Sequence, residues 1–190
     1  MTDCLIVGVG GQGTILASRL IGTAALKLGF DVLGSETIGM AQRGGCVTSH
    51  VRIGRGIDSP LIPRRGADVI LAFEPFEAAR AVSYIKPDGV MIACDGVVPP
   101  AGSSEVCDAD AVLRYLRSAV ANLYVLSGRE ITENCGARSL NIAILGAAVS
   151  CGALPMSIED IEGALVERLG PSRAEANKAA LRFARTRLSA

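Results

Sequence analysis

The sequence predicts a single α/β domain whose mostly parallel sheet is closed by helices from the C-terminal part. Three observations predict it. An apolar run at Cys4–Val9 ends in a glycine-rich stretch and leads into a segment with helical spacing. Short apolar runs then alternate with turn-rich and helical segments through the middle of the chain. Three further segments between residues 139 and 188 have helical patterning. The 190 residues correspond to about one domain, long enough to bury a sizeable core without cross-links.

Each element has its own signal. Cys4–Val9 reads as a buried strand. Gln12–Leu28 carries apolar residues at 15, 16, 20, 21, 24, 25 and 28, one face of a helix that Gly29 stops. Asp31–Ser35 is a second strand, and the three together predict a parallel, right-handed β-α-β unit. Glu36–Gly45 is glycine-rich and reads as a loop. Cys46–Ile53 alternates, with Val47, Ser49, Val51 and Ile53 opposite Cys46, Thr48, His50 and Arg52. Gly54–Gly66 is a loop. Val69–Phe73 is a strand, and Pro75 opens a helix to about Ile85. Pro87-Asp88-Gly89 reads as a turn before a strand at Val90–Ala93. A loop at Asp95–Ser104, a helix at Asp110–Ala121 and a strand at Leu123–Leu126 follow. The remaining helices are Ser139–Cys151, Ser157–Leu169 and Arg173–Leu188. Ser157 and Asp160 form an approximate capping box.

Composition excludes several classes. Nineteen basic residues balance nineteen acidic ones, and there is no Trp. A nucleic-acid surface is therefore not expected. Mean hydropathy is +0.39, yet the apolar stretch Ile142–Cys151 is about half of the roughly 20 residues that a spanning helix needs. The N-terminal MTDCLIVGVGGQG has no basic region and reads as neither signal peptide nor anchor. No membrane association is expected, and the excess apolar surface is assigned to core or subunit interface. Six widely spaced Cys contain no C-x-x-C, and His50 is the lone histidine. This excludes an ordinary zinc ribbon and ferredoxin-type cluster spacing. Reduced thiols in the cytoplasm are the expectation.

Gly8-Val9-Gly10-Gly11-Gln12-Gly13 fits G-x-G-x-x-G between a strand and a helix, which makes the fold Rossmann-like and three-layered. Glycines there permit a tight turn, close approach to phosphate and close packing of helix on strand. The helix start supplies N–H groups and a positive dipole end. Glu36 occupies about the place of the acid that a dinucleotide site uses. A tight turn without any ligand is the competing reading. In the next loop, Arg43 beside Gly44 and Gly45 offers a planar fork to an anion. His50 has no identifiable catalytic partner. Asn141, in an apolar helix, must find a hydrogen bond if buried. Cys46 reads as a small packed residue, and Arg19 as an anion contact or a solvated ion pair.

GVGGQG, then SETIGMAQRGG, then SHVRIG, SPLIP, ADVILAFEPFEAAR, YIKPDG and LNIAILGA resemble in order the gamma subunits of 2-oxoacid:ferredoxin oxidoreductases. These are the pyruvate and ketoisovalerate enzymes. The AQRGG and SHVRIG variant is most similar to the beta subunits of indolepyruvate:ferredoxin oxidoreductases. The resemblance spans essentially the whole chain. One departure is Ile38, where the family often has His. The resemblance implies a complex that oxidatively decarboxylates a 2-oxoacid with coenzyme A and reduces ferredoxin. It places thiamine diphosphate and iron–sulfur clusters on a larger partner subunit. It leaves this chain with no catalytic residue and no metal, helping to hold coenzyme A. The candidate binding residues are Gly8, Gly10, Gly11, Gln12, Gly13, Arg43, Gly44 and Gly45. The alternatives are an assembly subunit with no ligand of its own and a stand-alone NAD(P)-binding enzyme.

Overall fold

In the computed structural model, residues 1–39, 44–99 and 108–183 are described. A six-stranded sheet has the order β2-β3-β1-β4-β5-β6. The strands are β1 (Thr2–Val9), β2 (Asp31–Ile38), β3 (Cys46–Gly54), β4 (Ala67–Ala72), β5 (Ile85–Cys94) and β6 (Asn122–Leu126). Parallel pairing joins β1, β4, β5 and β6. Only β3 runs against the others. The helices are α1 (Thr14–Lys27), α2 (Pro75–Ala81), α3 (Ala109–Ala119), α4 (Gly128–Cys135), α5 (Leu140–Ser150), α6 (Ile158–Leu169) and α7 (Pro171–Phe183). The predicted extension of the last helix to Leu188 reaches outside the described residues.

Strand alternation sorts the core into two layers. Cys4, Ile6, Val69, Leu71, Ile92 and Cys94 face α1, α5, α6 and α7. Leu5, Val7, Ile70, Ala72, Met91 and Ala93 face α2 and α3. Successive strand residues must point to opposite faces, so apolar residues at every position imply helices on both. α5 is apolar all round and is buried from Asn141 to Val149, as a helix sandwiched between sheet and outer helices must be. The Ser157/Asp160 capping box at the start of α6 is present in both directions.

Several expectations change: β2 runs on through Ile38 into the segment expected as a loop, and α2 stops at Ala81, short of Ile85, where β5 begins. β1 and β2 do run in the same direction around α1, but they are not neighbours. The β2–β3 connection is a hairpin in which Gly39 N–H donates to Cys46 O at 2.8 Å, and β3 folds back between β1 and β2. A hairpin return costs less loop entropy than a second crossover. Pro87-Asp88-Gly89 is not a turn between helix and strand but part of β5. There a two-residue step on β4 faces a five-residue step on β5, a bulge. Gly89 permits it, because a Cβ would lie 2.9 Å from Ala67 O. α4 has no counterpart among the expected elements. Its sequence is polar, and Ile131 is its one buried residue, so apolar periodicity gives no signal. The Ser127-x-x-Glu130 pattern at its start does mark it, since Ser127 Oγ caps the Glu130 N–H.

α5 meets α7 so closely that a Cβ on Gly146 would overlap the Leu181 carbonyl oxygen. Gly146→Ala gains helix propensity but forces the two backbones apart. We expect a net loss of about 1–3 kcal/mol, read by chemical denaturation. Unchanged stability would mean that this contact is slack.

Candidate functional site

The glycine motif sits where β1 ends and α1 begins. β1 sends its connection over one face of the sheet, while β4 sends α2 over the other. The gap between their carboxyl ends is a topological switch point, the usual ligand crevice of such sheets. Gln12 fills the base of that gap. Its Oε1 accepts from Val9 N–H at 2.7 Å, and its Nε2 donates to Phe73 O at 2.9 Å. Gln12 N–H closes the turn onto Val9 O at 3.1 Å. The Gln12 side chain is therefore a strut.

The glycines divide by role. Gly8 is the close-packing glycine, for a Cβ there would stand 2.9 Å from Gln12 Oε1 and 3.1 Å from Phe73 Cβ. Gly10 N–H donates to Gly45 O at 2.9 Å, which joins the two glycine loops and uses up that donor. A Cβ on Gly44 would just touch Val9. Gly11 (φ 97°) and Gly13 (φ 85°) are left-handed. Nothing lies within 4 Å of where a Cβ on Gly11 would stand. Gly13 is the N-cap of α1, with no side-chain cap and no acid in the first turn. Its missing Cβ makes room for Asn141 of α5, whose Nδ2 donates to Gly13 O at 3.3 Å. The close packing is thus helix on helix, where helix on strand was expected. Asn141 Oδ1 accepts from Ile142 N–H, so this buried amide is a structural clamp.

A hollow of about 350 Å³ opens over Gly11–Gly13 and is lined by Ala137, Arg138, Leu140 and Asn141. A second, of about 430 Å³, shares Gln12, Ala137 and Leu140 with it and continues to Cys94, Val97, Val98 and Gly128. Together they form one groove across the carboxyl edge of the sheet. Its first part holds the bare N-terminus of α1 and a guanidinium. Its second part is largely apolar. The Arg138 side chain has no hydrogen bond or ion pair among the described residues. Sequence reasoning missed Arg138, because only the α4–α5 connection brings it to the glycine turn and no local motif marks it. Arg43 lies outside the described residues.

The other candidates lie elsewhere. Glu36 accepts from Ser18 Oγ at 3.0 Å and lines a separate depression with Arg19. It does not share the groove of the glycine turn. His50 is buried, its Nδ1 accepts from Ile62 N–H at 3.1 Å, and Tyr84 meets its ring edge-on at 6.1 Å. Burial lowers its pKa, favouring the neutral ring. Cys46 is exposed at the start of β3, not packed as expected. Burial pushes the Cys94 thiol up to about 11, so it stands in the groove as a neutral thiol. No group of three metal-ligating side chains occurs among the described residues.

The family model described as pyruvate ferredoxin/flavodoxin oxidoreductase matches residues 3–186. The chain belongs to that family. It is 36% identical to "Indolepyruvate oxidoreductase subunit IorB" of Archaeoglobus fulgidus over 186 residues, 95% of this chain and 92% of the relative. It is 28% identical to "Pyruvate/ketoisovalerate oxidoreductases common subunit gamma" of Pyrococcus abyssi, over 97% and 95% of the two chains. The fold is that of the keto/oxoacid ferredoxin oxidoreductase gamma subunit from Geobacter sulfurreducens, with a TM-score of 0.70 at 23% identity and full coverage of both chains. It also matches part of a 2-oxoglutarate:ferredoxin oxidoreductase from Magnetococcus marinus, solved with 2-oxoglutarate, coenzyme A and succinyl-CoA. There the TM-score is 0.71 at 20% identity, over 97% of this chain and 30% of that one. The α/β expectation holds, with one antiparallel strand in the sheet.

Glu74, at the end of β4, is almost fully buried and caps α2 through Oε2, which accepts from Glu77 N–H at 3.0 Å. Its Oε1 has no partner of good hydrogen-bond geometry among the described residues. Burial raises its pKa, although backbone N–H groups pull the other way. A raised carboxyl binds its proton more tightly in the native state, so its contribution to stability falls as pH rises through the ordinary carboxylate range, from about pH 4 upward. Glu74→Gln removes that titration. The difference in melting temperature, variant minus wild type, should grow in favour of the variant as pH increases. A constant difference would show that Glu74 titrates normally.

Proposed function

We propose that this chain is the cluster-free subunit of a thiamine-diphosphate-dependent 2-oxoacid:ferredoxin oxidoreductase, and that it builds the coenzyme A side of the active site. The substrate class includes indolepyruvate, by likeness to the relatives named for it. The complex that this reading implies is cytoplasmic. No helix among the described residues is long and apolar enough to cross a membrane. Thiamine diphosphate and the iron–sulfur clusters reside on a larger partner subunit, and electrons leave to ferredoxin through the complex.

One observation carries the coenzyme A assignment. The uncapped N-terminus of α1 and the unpaired Arg138 face one hollow, which runs into an apolar groove. A pyrophosphate with a long, thin arm fits such a surface. The dipole end and N–H groups of Gly11 and Gly13 take the phosphate oxygens, and Arg138 adds a charge-assisted contact. Val97, Val98 and Leu140 line the groove along which the arm would lie. The thiol that coenzyme A supplies accepts the acyl group formed on the partner. This chain's residues hold and orient it. Arg43 is the second anion contact on this reading. The N–H groups of Gly10 and Gln12 are already engaged within the turn, and Gly8, Gly44 and Gly45 shape its surroundings. A dinucleotide is less well served, because Glu36 is outside the groove.

Arg138→Ala tests the assignment, since an exposed loop arginine carries little of the fold. In the reconstituted complex, half-saturation with coenzyme A should rise about tenfold to a hundredfold, the loss of one charge-assisted bond worth roughly 1.5–3 kcal/mol. Assembly is checked by gel filtration, and Arg43→Ala is run in parallel. If both variants assemble with an unchanged coenzyme A dependence, the chain is an assembly subunit. Turnover of a 2-oxoacid by the isolated chain would sink the subunit reading itself.

A further inference from the structure

We propose that a second site, at the opposite edge of the sheet, binds a small organic oxyanion with an apolar body. The amino ends of the parallel strands border an open hollow of about 490 Å³, larger than either part of the groove and within the range of small-molecule pockets. It lies between the loop before β4, the start of β5 and the end of α3. Its charged wall is Arg64, Arg65 and Lys86, and no acidic side chain lines it. Its apolar wall includes Val82, Ile85 and Val120.

The charged wall is built at a steric cost. Residues Pro63–Gly66 form a turn closed by Gly66 N–H to Pro63 O at 3.1 Å. Arg65 occupies its third position with φ 57°, the only positive φ of a non-glycine among the described residues. Glycine is the residue of least strain there. A bulky residue in that conformation implies that its side chain has a use. The turn is also anchored to the hollow, because Arg65 N–H donates to Ser83 O at 3.0 Å. Lys86 is held at the same wall by an ion pair with Asp68. Neither Arg64 nor Arg65 has a side-chain partner among the described residues. Two guanidiniums on a fixed turn beside an apolar floor suit a carboxylate or phosphate carried on a ring or short chain. This inference is independent of the coenzyme A assignment, which concerns the other edge.

The test is backbone-amide NMR of the full chain titrated with phenyl phosphate, with benzoate and with inorganic phosphate. Saturable shifts at Gly66, Ser83 and Lys86 are expected with at least one of the ring-bearing anions, and the tighter of the two identifies the headgroup. Inorganic phosphate should bind more weakly, because it leaves the apolar wall wet. Arg65→Gly relieves the backbone, so its melting temperature should rise while the ring-bearing anion binds about ten- to hundredfold more weakly. Arg64→Ser with Arg65→Gly should abolish the shifts. The proposal is overturned if these amides do not respond, if only Gly11 and Gly13 respond, or if Arg65→Gly binds as well as wild type.

Discussion

The placement of the groove depends on one side chain that touches no ligand in our reading. Gln12 joins Val9 to Phe73, and so joins β1 to β4 where the chain changes from one face of the sheet to the other. The backbone pairing of the two strands ends there, its last bond running from Phe73 N–H to Val7 O at 2.9 Å. The amide of Gln12 replaces the missing ladder with two bonds of good length. A carboxylate could accept from Val9 but could not donate to Phe73. Glutamine is therefore required by its mixed donor and acceptor character. Asn141 acts likewise one turn away, tying α5 to the carbonyl of the N-cap residue. Between these two amides the glycine turn is fixed from below and behind, which leaves only its outer side open.

This division explains why a six-residue glycine pattern is a weak predictor of ligand. Four glycines occur in it, and three of them are accounted for by packing or by the β2–β3 loop. Gly11 alone combines a left-handed backbone with open space. A pattern that specifies all four cannot separate those that shape a turn from the one that leaves open space beside it. The separation requires knowing what lies where each Cβ would be.

The sheet was legible in the sequence because its signal is local. Apolar runs at Cys4–Val9 and Val69–Phe73 and the alternation of Cys46–Ile53 fall on observed strands. α1, α5 and α6 were legible from their glycine stops, apolar content and capping box. Strand order was not, because a β-α-β pattern fixes direction but not which strand lies between. The bulge at Gly89 resembles a turn in sequence, since both need a residue without Cβ. Of the site, the glycine turn was visible and Arg138 was not. The turn is contiguous in sequence, whereas Arg138 arrives from 125 residues after Gly13 through the packing of α5 against α1.

The openness of the groove bears on why such a chain works in a complex. On the proposed reading, the anion meets backbone N–H groups, a helix dipole and an exposed guanidinium. Each contact competes with water and is screened by salt at the surface. Helix-terminus charge interactions at exposed positions contribute about 0.3–1 kcal/mol, well short of what holding a flexible cofactor requires. Covering the groove with a second protein surface lowers the local dielectric and removes competing water, so the same donors act more strongly. On the same reading, the covering subunit also brings the reacting acyl group to the end of the apolar arm. Affinity and reactivity then arise at one event, the closing of the interface, and neither needs a catalytic residue on this chain.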